Sequence, residues 1–351
     1  MLYNTDDLRI TGMQEVLPPI QLHQEFPITE HASETVFNAR SATQKILQGK
    51  DDRLVVIIGP CSIHDPDAAR EYATRLKPLV SELKDELQII MRVYFEKPRS
   101  VVGWKGLIND PYLDGSFKIN DGLRLARKLL LDLAEMGVPA GSEYLDLISP
   151  QYIADLISWG AIGARTTESQ AHRELASGLS CPVGFKNATD GGLQTAVDAC
   201  LSASKPHHFM SLTKAGHSAI FSTTGNPYCH VILRGGKTPN YDADSINQTV
   251  EIIGRTGLKA SFMVDCSHAN SGKSYVQQEV VCRDVANQIA QGEDHIMGLM
   301  LESNLIAGRQ NVEKDKALLY GQSITDACMA WDNSEILLRE LAAAVRTRRL
   351  K

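Results

Sequence analysis

Leu54-Val55-Val56-Ile57-Ile58-Gly59-Pro60-Cys61 is a five-residue apolar run, then a glycine–proline turn, then a potential metal ligand. Short β-branched runs of this kind followed by helical stretches are the pattern of a parallel sheet built from βα units. Seven more runs continue it: Gln88–Val93, Ala140–Glu143, Ala161–Ala164, Pro182–Lys186, His230–Arg234, Phe262–Asp265 and Met297–Glu302. Helices such as Pro66–Lys77, Asp121–Met136 and Pro150–Ser158 lie between them, the last with Ser149 as N-cap and Pro150 in its first turn. Eight such strands close a (β/α)8 TIM barrel. A ninth run, His208–Leu212, with Ser218–Phe221 after it, reads as an antiparallel hairpin inserted after the fifth unit, at about 207–224.

Residues 1–50 differ from this pattern. Leu17-Pro18-Pro19-Ile20 reads as extended, and a helix is predicted from about Glu30 to Gln48, with Thr29 as N-cap and Gly49 as its stop. The segment reads as a regulatory or oligomerisation arm that docks on something, separate from the barrel of residues 51–351.

The bulk numbers suit an enzyme with a large core. The chain has 351 residues, 43% of them hydrophobic and 22% charged, with a net charge of −6 from 36 basic and 42 acidic side chains. No long basic run marks a nucleic-acid or membrane surface. The N-terminus lacks a basic and an apolar region of the secretory kind, and no apolar run could span a bilayer. The seven scattered cysteines read as reduced thiols of a cytoplasmic protein.

What stands at the end of each run carries the chemistry. Cys61, Arg92 with Lys97 and Arg99, Glu143, Arg165, Lys186, Arg234, His268 and Glu302 follow the eight runs in order. Barrel enzymes place their reacting groups at the C-terminal ends of the strands, in one mouth. Each alone has a bland reading: a buried thiol, a polar cap, a surface charge. Together they split into up to six cations and a Cys61, His268, Glu302 and Asp326 set of metal-ligand types. Six cations around one cavity repel one another unless ligands supply anions, and arginine forks suit phosphate and carboxylate. Substrates with more than one phosphate are therefore expected. No dinucleotide fingerprint, P-loop, nucleophile elbow or Cys-x-x-Cys pair is present. Thr189-Asp190-Gly191-Gly192 reads as a turn, and Trp104-Lys105-Gly106 as a structured loop that lends a side chain to the mouth.

Several longer motifs resemble the type I 3-deoxy-D-arabino-heptulosonate 7-phosphate synthases along essentially the whole chain. They are Gly59-Pro60-Cys61-Ser62-Ile63-His64-Asp65, Met91-Arg92-Val93-Tyr94-Phe95-Glu96-Lys97-Pro98-Arg99, Gly163-Ala164-Arg165-Thr166-Thr167-Glu168-Ser169-Gln170 and Pro182-Val183-Gly184-Phe185-Lys186-Asn187. Ile232-Leu233-Arg234-Gly235-Gly236 and Tyr320-Gly321-Gln322-Ser323-Ile324-Thr325-Asp326 continue the likeness. The resemblance implies condensation of phosphoenolpyruvate with erythrose 4-phosphate at the head of the shikimate pathway. It implies metal ligation by Cys61, His268, Glu302 and Asp326, and phosphoenolpyruvate contacts from Arg92, Lys97, Glu143, Arg165, Lys186 and Arg234, with the backbone of Gly163 and Ala164. The aldose phosphate falls to Arg99 and Ser100, and proton handling to Lys97 or a water on the metal. Cys61 and His268 join Lys97 as expected catalytic residues. A mixed Cys/His/carboxylate site accepts Mn²⁺, Fe²⁺, Co²⁺ or Zn²⁺.

Two positions depart from the family pattern. Ser100 stands where threonine is usual, and Ala188 where glycine is usual beside Lys186; a positive φ there would strain alanine. The resemblance also implies an inhibitor site for an aromatic amino acid, at Asp6, Asp7, Ile10, Leu147, Pro150, Gln151, Leu179, Ser180, Phe209, Ser211 and Phe221. Ser211 with Gly216-His217-Ser218-Ala219 is most similar to the phenylalanine-sensitive type, tyrosine being the alternative. A homodimer or homotetramer is implied as well. Two readings compete: a sister synthase that takes arabinose 5-phosphate, and an inactive paralogue that only senses an amino acid.

Overall fold

The structure, a computed structural model, describes residues 3–99, 102–313 and 316–351. Its strands are β1 (Leu54–Gly59), β2 (Leu87–Arg92), β3 (Ala140–Glu143), β4 (Ile157–Ile162), β5 (Val183–Lys186), β6 (His208–Leu212), β7 (Ser218–Ser222), β8 (Cys229–Leu233), β9 (Phe262–Asp265) and β10 (Ile296–Glu302). Its helices are α1 (Pro19–Glu25), α2 (Glu30–Leu47), α3 (Pro66–Glu82), α4 (Ile119–Glu135), α5 (Pro150–Ile153), α6 (Gln170–Gly178), α7 (Gln194–Ala203), α8 (Ala243–Gly254), α9 (Tyr275–Gln291) and α10 (Trp331–Arg348). Eight parallel strands close a barrel in the order β1-β10-β9-β8-β5-β4-β3-β2, while β6 and β7 pair only with each other. The (β/α)8 reading and the inserted hairpin are both observed.

The two-residue period of a strand sorts the core into two layers. Val55 and Ile57 point inward to Ile90, Trp159, Ala161, Ile232, Met263 and Met300, filling the barrel. Leu54, Val56 and Ile58 point outward into the larger layer under the helices. Ile46 and Leu47, at the end of α2, join the inner layer, so the first segment plugs the barrel floor. The Thr29 side chain caps α2 by accepting from Ala32 N at 3.1 Å, and Gly49 ends it at φ +66°.

Four local expectations fail. The run expected over Ala161–Ala164 is the end of a strand that begins four residues earlier, β4, which stops at Ile162. Pro19 begins α1 as its first-turn proline, so only Leu17-Pro18 of that stretch is extended. The helix expected over 150–158 stops at Ile153, passes through a 3₁₀ turn over Ala154–Leu156, and β4 starts at Ile157. Arg40 of α2 takes the Ala154 and Ile157 carbonyls at 2.7 Å, and Arg127 of α4 takes that of Tyr152 at 2.8 Å, so distant guanidiniums hold the acceptors that a longer helix would use. Ser149 does not cap α5 either. Its hydroxyl donates to Glu96 Oε2 at 3.0 Å, and Asp146 Oδ1 instead accepts the Ile148 and Ser149 amides. Among the described residues, no helix is long and apolar enough to cross a membrane. All seven cysteines are free thiols.

Candidate active site

A cavity of about 280 Å³ opens at the C-terminal ends of the strands, lined by Lys97, Arg99, Glu143, Gly163, Ala164, Arg165, Lys186, Arg234, His268, Lys273 and Asp326, with Pro98, Val102, Thr166, Thr189 and Thr325. Six of these side chains are cationic and two are carboxylates, so the wall carries a surplus of positive charge.

Glycines set how close the strands bring these groups. Gly59, at φ +154°, turns the chain past β2, where a Cβ would stand 2.8 Å from the Arg92 carbonyl. A Cβ at Gly163 would collide with Glu143 Oε1, so the Glu143 carboxylate rests directly against that backbone.

Beneath the cavity the ligand-type residues meet. Donor atoms of Cys61, Glu302 and Asp326 all lie within 4.8 Å of one another. His268 faces the same space beside Glu302 and Asp326 but stands outside that tight group. Its Nδ1 is 2.9 Å from Asp265 Oδ2, which leaves Nε2 as its free nitrogen. Ser62 Oγ and Thr325 Oγ1, 2.7 Å apart, pin the Cys61 turn to the Asp326 loop. Burial pushes the Cys61 thiol up, and the Glu302 carboxylate adds to the shift. Burial opposes the charged form of Glu302 and is the largest single influence, yet Arg92, His268 and Lys97 together outweigh it and hold the carboxyl below its usual range. A thiol and two carboxylates converging on one point, with an imidazole beside them, are the soft and hard donors that divalent transition ions take. The donors therefore fit a metal.

The cations sit at different depths. Arg92 is buried below the lining; its Nη2 reaches Glu302 Oε1 at 3.0 Å and Cys61 O at 3.2 Å, and Nε donates to Pro60 O. Lys97 Nζ donates to Cys61 Sγ at 3.1 Å. Lys186 Nζ is 3.0 Å from Asp265 Oδ2. Burial lowers the Arg234 pKa and nearby Arg165 adds to that, the mark of cations crowded around an anion site. Arg165 and Arg99 are exposed at the rim, where Arg99 Nε donates to Trp104 O at 2.8 Å. Ser100 lies outside the described residues. Thr189–Gly192 is a turn closed by Gly191 N on Ala188 O, and Ala188 does not have a positive φ, so the expected strain is absent. From the 101–109 loop it is Val102 that lines the cavity, while the Trp104 indole is tied to Asp110 O.

Two residues of the site escaped the sequence reading. Asp265, fully buried at the end of β9, bridges Lys186 and His268. Lys273 lines the cavity from a left-handed backbone, φ +63°, with Nζ 4.0 Å from Asp326. A carboxylate ending an apolar run was a usable signal for the first. Asn270-Ser271-Gly272-Lys273, a glycine before a lysine past a strand end, was a weaker one for the second.

The residues expected at an inhibitor site lie mainly on one flank. Phe209 and Phe221 face each other across the hairpin with ring centroids 6.1 Å apart, and Ser211 shares their side of the strand. Lys214 of the hairpin turn donates to Gln151 O, tying the turn to the loop that carries Leu147 and Pro150. Thr223, just past the hairpin, bonds Ser177 Oγ at 2.7 Å, near Leu179 and Ser180. Asp6, Asp7 and Ile10 are exposed to solvent.

Comparison with known proteins follows the same lines. A model of the DAHP synthetase I family matches residues 25–339. The chain is 62% identical over 349 residues to the Phe-sensitive phospho-2-dehydro-3-deoxyheptonate aldolase of Escherichia coli (strain K12), covering 99% of this chain and 100% of that protein. It is 60% identical over 345 residues to the phospho-2-dehydro-3-deoxyheptonate aldolase of Haemophilus influenzae, covering 98% and 95%. The solved phospho-2-dehydro-3-deoxyheptonate aldolase from Francisella tularensis SCHU S4 superposes with a TM-score of 0.95 at 51% identity, covering 97% and 99%.

Proposed function

The chain belongs to the DAHP synthetase I family and is a 3-deoxy-D-arabino-heptulosonate 7-phosphate synthase, and we propose how its barrel mouth performs that reaction. Phosphoenolpyruvate, erythrose 4-phosphate and water become 3-deoxy-D-arabino-heptulosonate 7-phosphate and inorganic phosphate, the first step of the shikimate pathway. The observation that carries the site assignment is six cations around one cavity, above a cluster of Cys61, Glu302 and Asp326 donors.

Arg165, Lys186 and Arg234 hold the phosphate and carboxylate of phosphoenolpyruvate, with Arg92 and Lys97 beneath them and the Gly163 and Ala164 backbone at the side. Glu143 buttresses that backbone. Arg99, with Ser100 beside it, takes the phosphate of the aldose. This fixes the enol carbon against the aldehyde, the positioning that a carbon–carbon condensation needs. Lys97 Nζ, already donating to Cys61 at the floor of the mouth, or a water on the metal handles the proton. Cys61, His268, Glu302 and Asp326 would hold a divalent ion, which when bound supplies Lewis-acid polarisation of the aldehyde oxygen. Mn²⁺, Fe²⁺, Co²⁺ and Zn²⁺ all suit these donors.

The hairpin flank is the inhibitor site, and phenylalanine is its ligand. Phe209 and Phe221 supply an apolar wall, and Ser211, Ser180 and Gln151 supply polar ends. Leu147, Pro150 and Leu179 complete the wall. Asp6, Asp7 and Ile10 stand free in the single chain, which suits an arm that settles against the hairpin of a second copy in a homodimer or homotetramer. Free thiols throughout suit a cytoplasmic enzyme.

Phosphate release in the presence of Mn²⁺ tests the whole reading. Turnover with erythrose 4-phosphate, suppressed by phenylalanine more than by tyrosine or tryptophan, is expected. Faster turnover with arabinose 5-phosphate would favour the sister synthase, and no phosphate release with either aldose would leave only an amino-acid sensor.

A further inference from the structure

Asp265 touches both halves of the mouth. Its Oδ2 lies 3.0 Å from Lys186 Nζ on β5 and 2.9 Å from His268 Nδ1. Its Oδ1 accepts the Ser267 amide at 3.0 Å and the Ser267 hydroxyl as well. Asn270 Nδ2 donates to the Asp265 carbonyl at 2.9 Å and to Leu233 O at 3.1 Å, which fixes the backbone that carries the carboxylate. The side chain is fully buried, so an ammonium and an imidazole share one carboxylate with no water to spread the charge.

We propose that Asp265 is a positioning residue through which a divalent ion and the anionic substrate each tighten the binding of the other. The inference rests on the site reading above, in which Lys186 meets phosphoenolpyruvate and His268 meets the metal. Nδ1 lies 2.6 Å from Ser267 Oγ, whose hydroxyl in turn bonds Asp265 Oδ1, and 2.9 Å from Asp265 Oδ2, so the Asp265–Ser267 pair sets the imidazole orientation that presents Nε2 as the ligand. When an incoming phosphate or carboxylate draws the Lys186 ammonium toward itself, Asp265 loses part of one partner. Its electrostatic hold on the His268 ring, 2.9 Å away, then strengthens, and with it the imidazole as a donor. Linkage makes the effect reciprocal, so bound metal improves the affinity for phosphoenolpyruvate by the same factor.

Calorimetric titration of Mn²⁺ into the metal-stripped enzyme, with and without saturating phosphoenolpyruvate, measures this without recourse to turnover. In the wild-type enzyme phosphoenolpyruvate lowers the Mn²⁺ Kd. Asp265→Asn is expected to weaken Mn²⁺ about 10- to 100-fold, the usual effect of losing a carboxylate behind a ligating histidine, and to erase the response to phosphoenolpyruvate. A variant that keeps the wild-type Kd, or the wild-type ratio of the two Kd values, overturns the proposal, even if its Tm has fallen. If Asp265→Asn does not fold, Ser267→Ala, which loosens the hold on the carboxylate, replaces it: a reduced ratio supports the coupling and an unchanged one refutes it. Wild-type enzyme that binds no Mn²⁺ would sink the site reading itself. Wild-type enzyme that binds Mn²⁺ with no response to phosphoenolpyruvate would sink only the coupling.

Discussion

Arg92 and Glu302 form a buried ion pair, Nη2 to Oε1 at 3.0 Å, with side chains 1% and 2% exposed. The Arg92 guanidinium also lies over the Tyr94 ring, 3.4 Å from its centroid, so it is fixed from below as well. One partner belongs to the cation set and the other to the metal cluster, and neither is solvated if its mate is removed. Glu302→Ala is expected to lose about 3–5 kcal/mol of folding stability, because an uncompensated guanidinium remains in the interior. Glu302→Gln keeps a hydrogen-bond acceptor for Arg92 and should lose less, while both lose the metal. Denaturant titration of the two metal-free variants against the metal-free wild type checks the order.

Cys61 is the softest donor in the cluster and also the acceptor of the Lys97 ammonium. Cys61→Ser keeps the size but replaces a polarisable thiolate with a hydroxyl that stays protonated, so Mn²⁺ affinity should fall by more than about 100-fold. Chelator treatment of the wild type should abolish phosphate release, with recovery on adding Mn²⁺. Recovery in Cys61→Ser at wild-type metal concentrations would exclude the thiol from the metal site.

How far the sequence could be read depends on where each determinant lies. β3 and β9 were legible to the residue, because buried runs ending in Glu143 and Asp265 have sharp polar boundaries. The Thr29 cap was legible too, since a cap is a local device. The early end of α5 was not, because Arg40 and Arg127, which hold its last carbonyls, lie more than a full turn of chain away in other helices. Lys273 stayed hidden for a different reason: nothing in a lysine signals a left-handed backbone. Asp265 looked like a strand terminus, and only the folded barrel shows it beside Lys186 on β5.

Lys273 gives a test that separates function from structure. A non-glycine residue at φ +63° is strained by roughly 1 kcal/mol, a strain glycine would relieve. If the lysine serves the architecture, Lys273→Gly should lower Tm. If it serves the anionic substrates that enter past Asp326, the same change leaves Tm unchanged or higher. It then raises KM for erythrose 4-phosphate by about 10-fold or more, the loss expected for one charge-assisted hydrogen bond. Steady-state kinetics and a thermal melt on one variant decide the matter.

Glu96 sets a pH dependence of stability that the metal site does not enter. Burial, with Asp146 nearby, pushes its carboxyl up to about 7 from 4.5, while the Ser149 hydroxyl donates to Oε2 at 3.0 Å. The folded-state value is thus above the unfolded one, so the protonated side chain contributes its full stability below the unfolded pKa. That contribution is lost as the pH rises through the folded value. Between about pH 5 and about pH 8 the wild type should therefore lose roughly 3 kcal/mol relative to Glu96→Gln, which keeps a neutral side chain throughout. Melting both proteins across that range reads the difference directly. Parallel curves would mean that Glu96 is already ionised in the folded chain, held by a partner other than Ser149. A gap that opens toward high pH would mean that the loop bearing Lys97 and the loop bearing Pro150 are joined by a neutral hydrogen bond that alkali weakens.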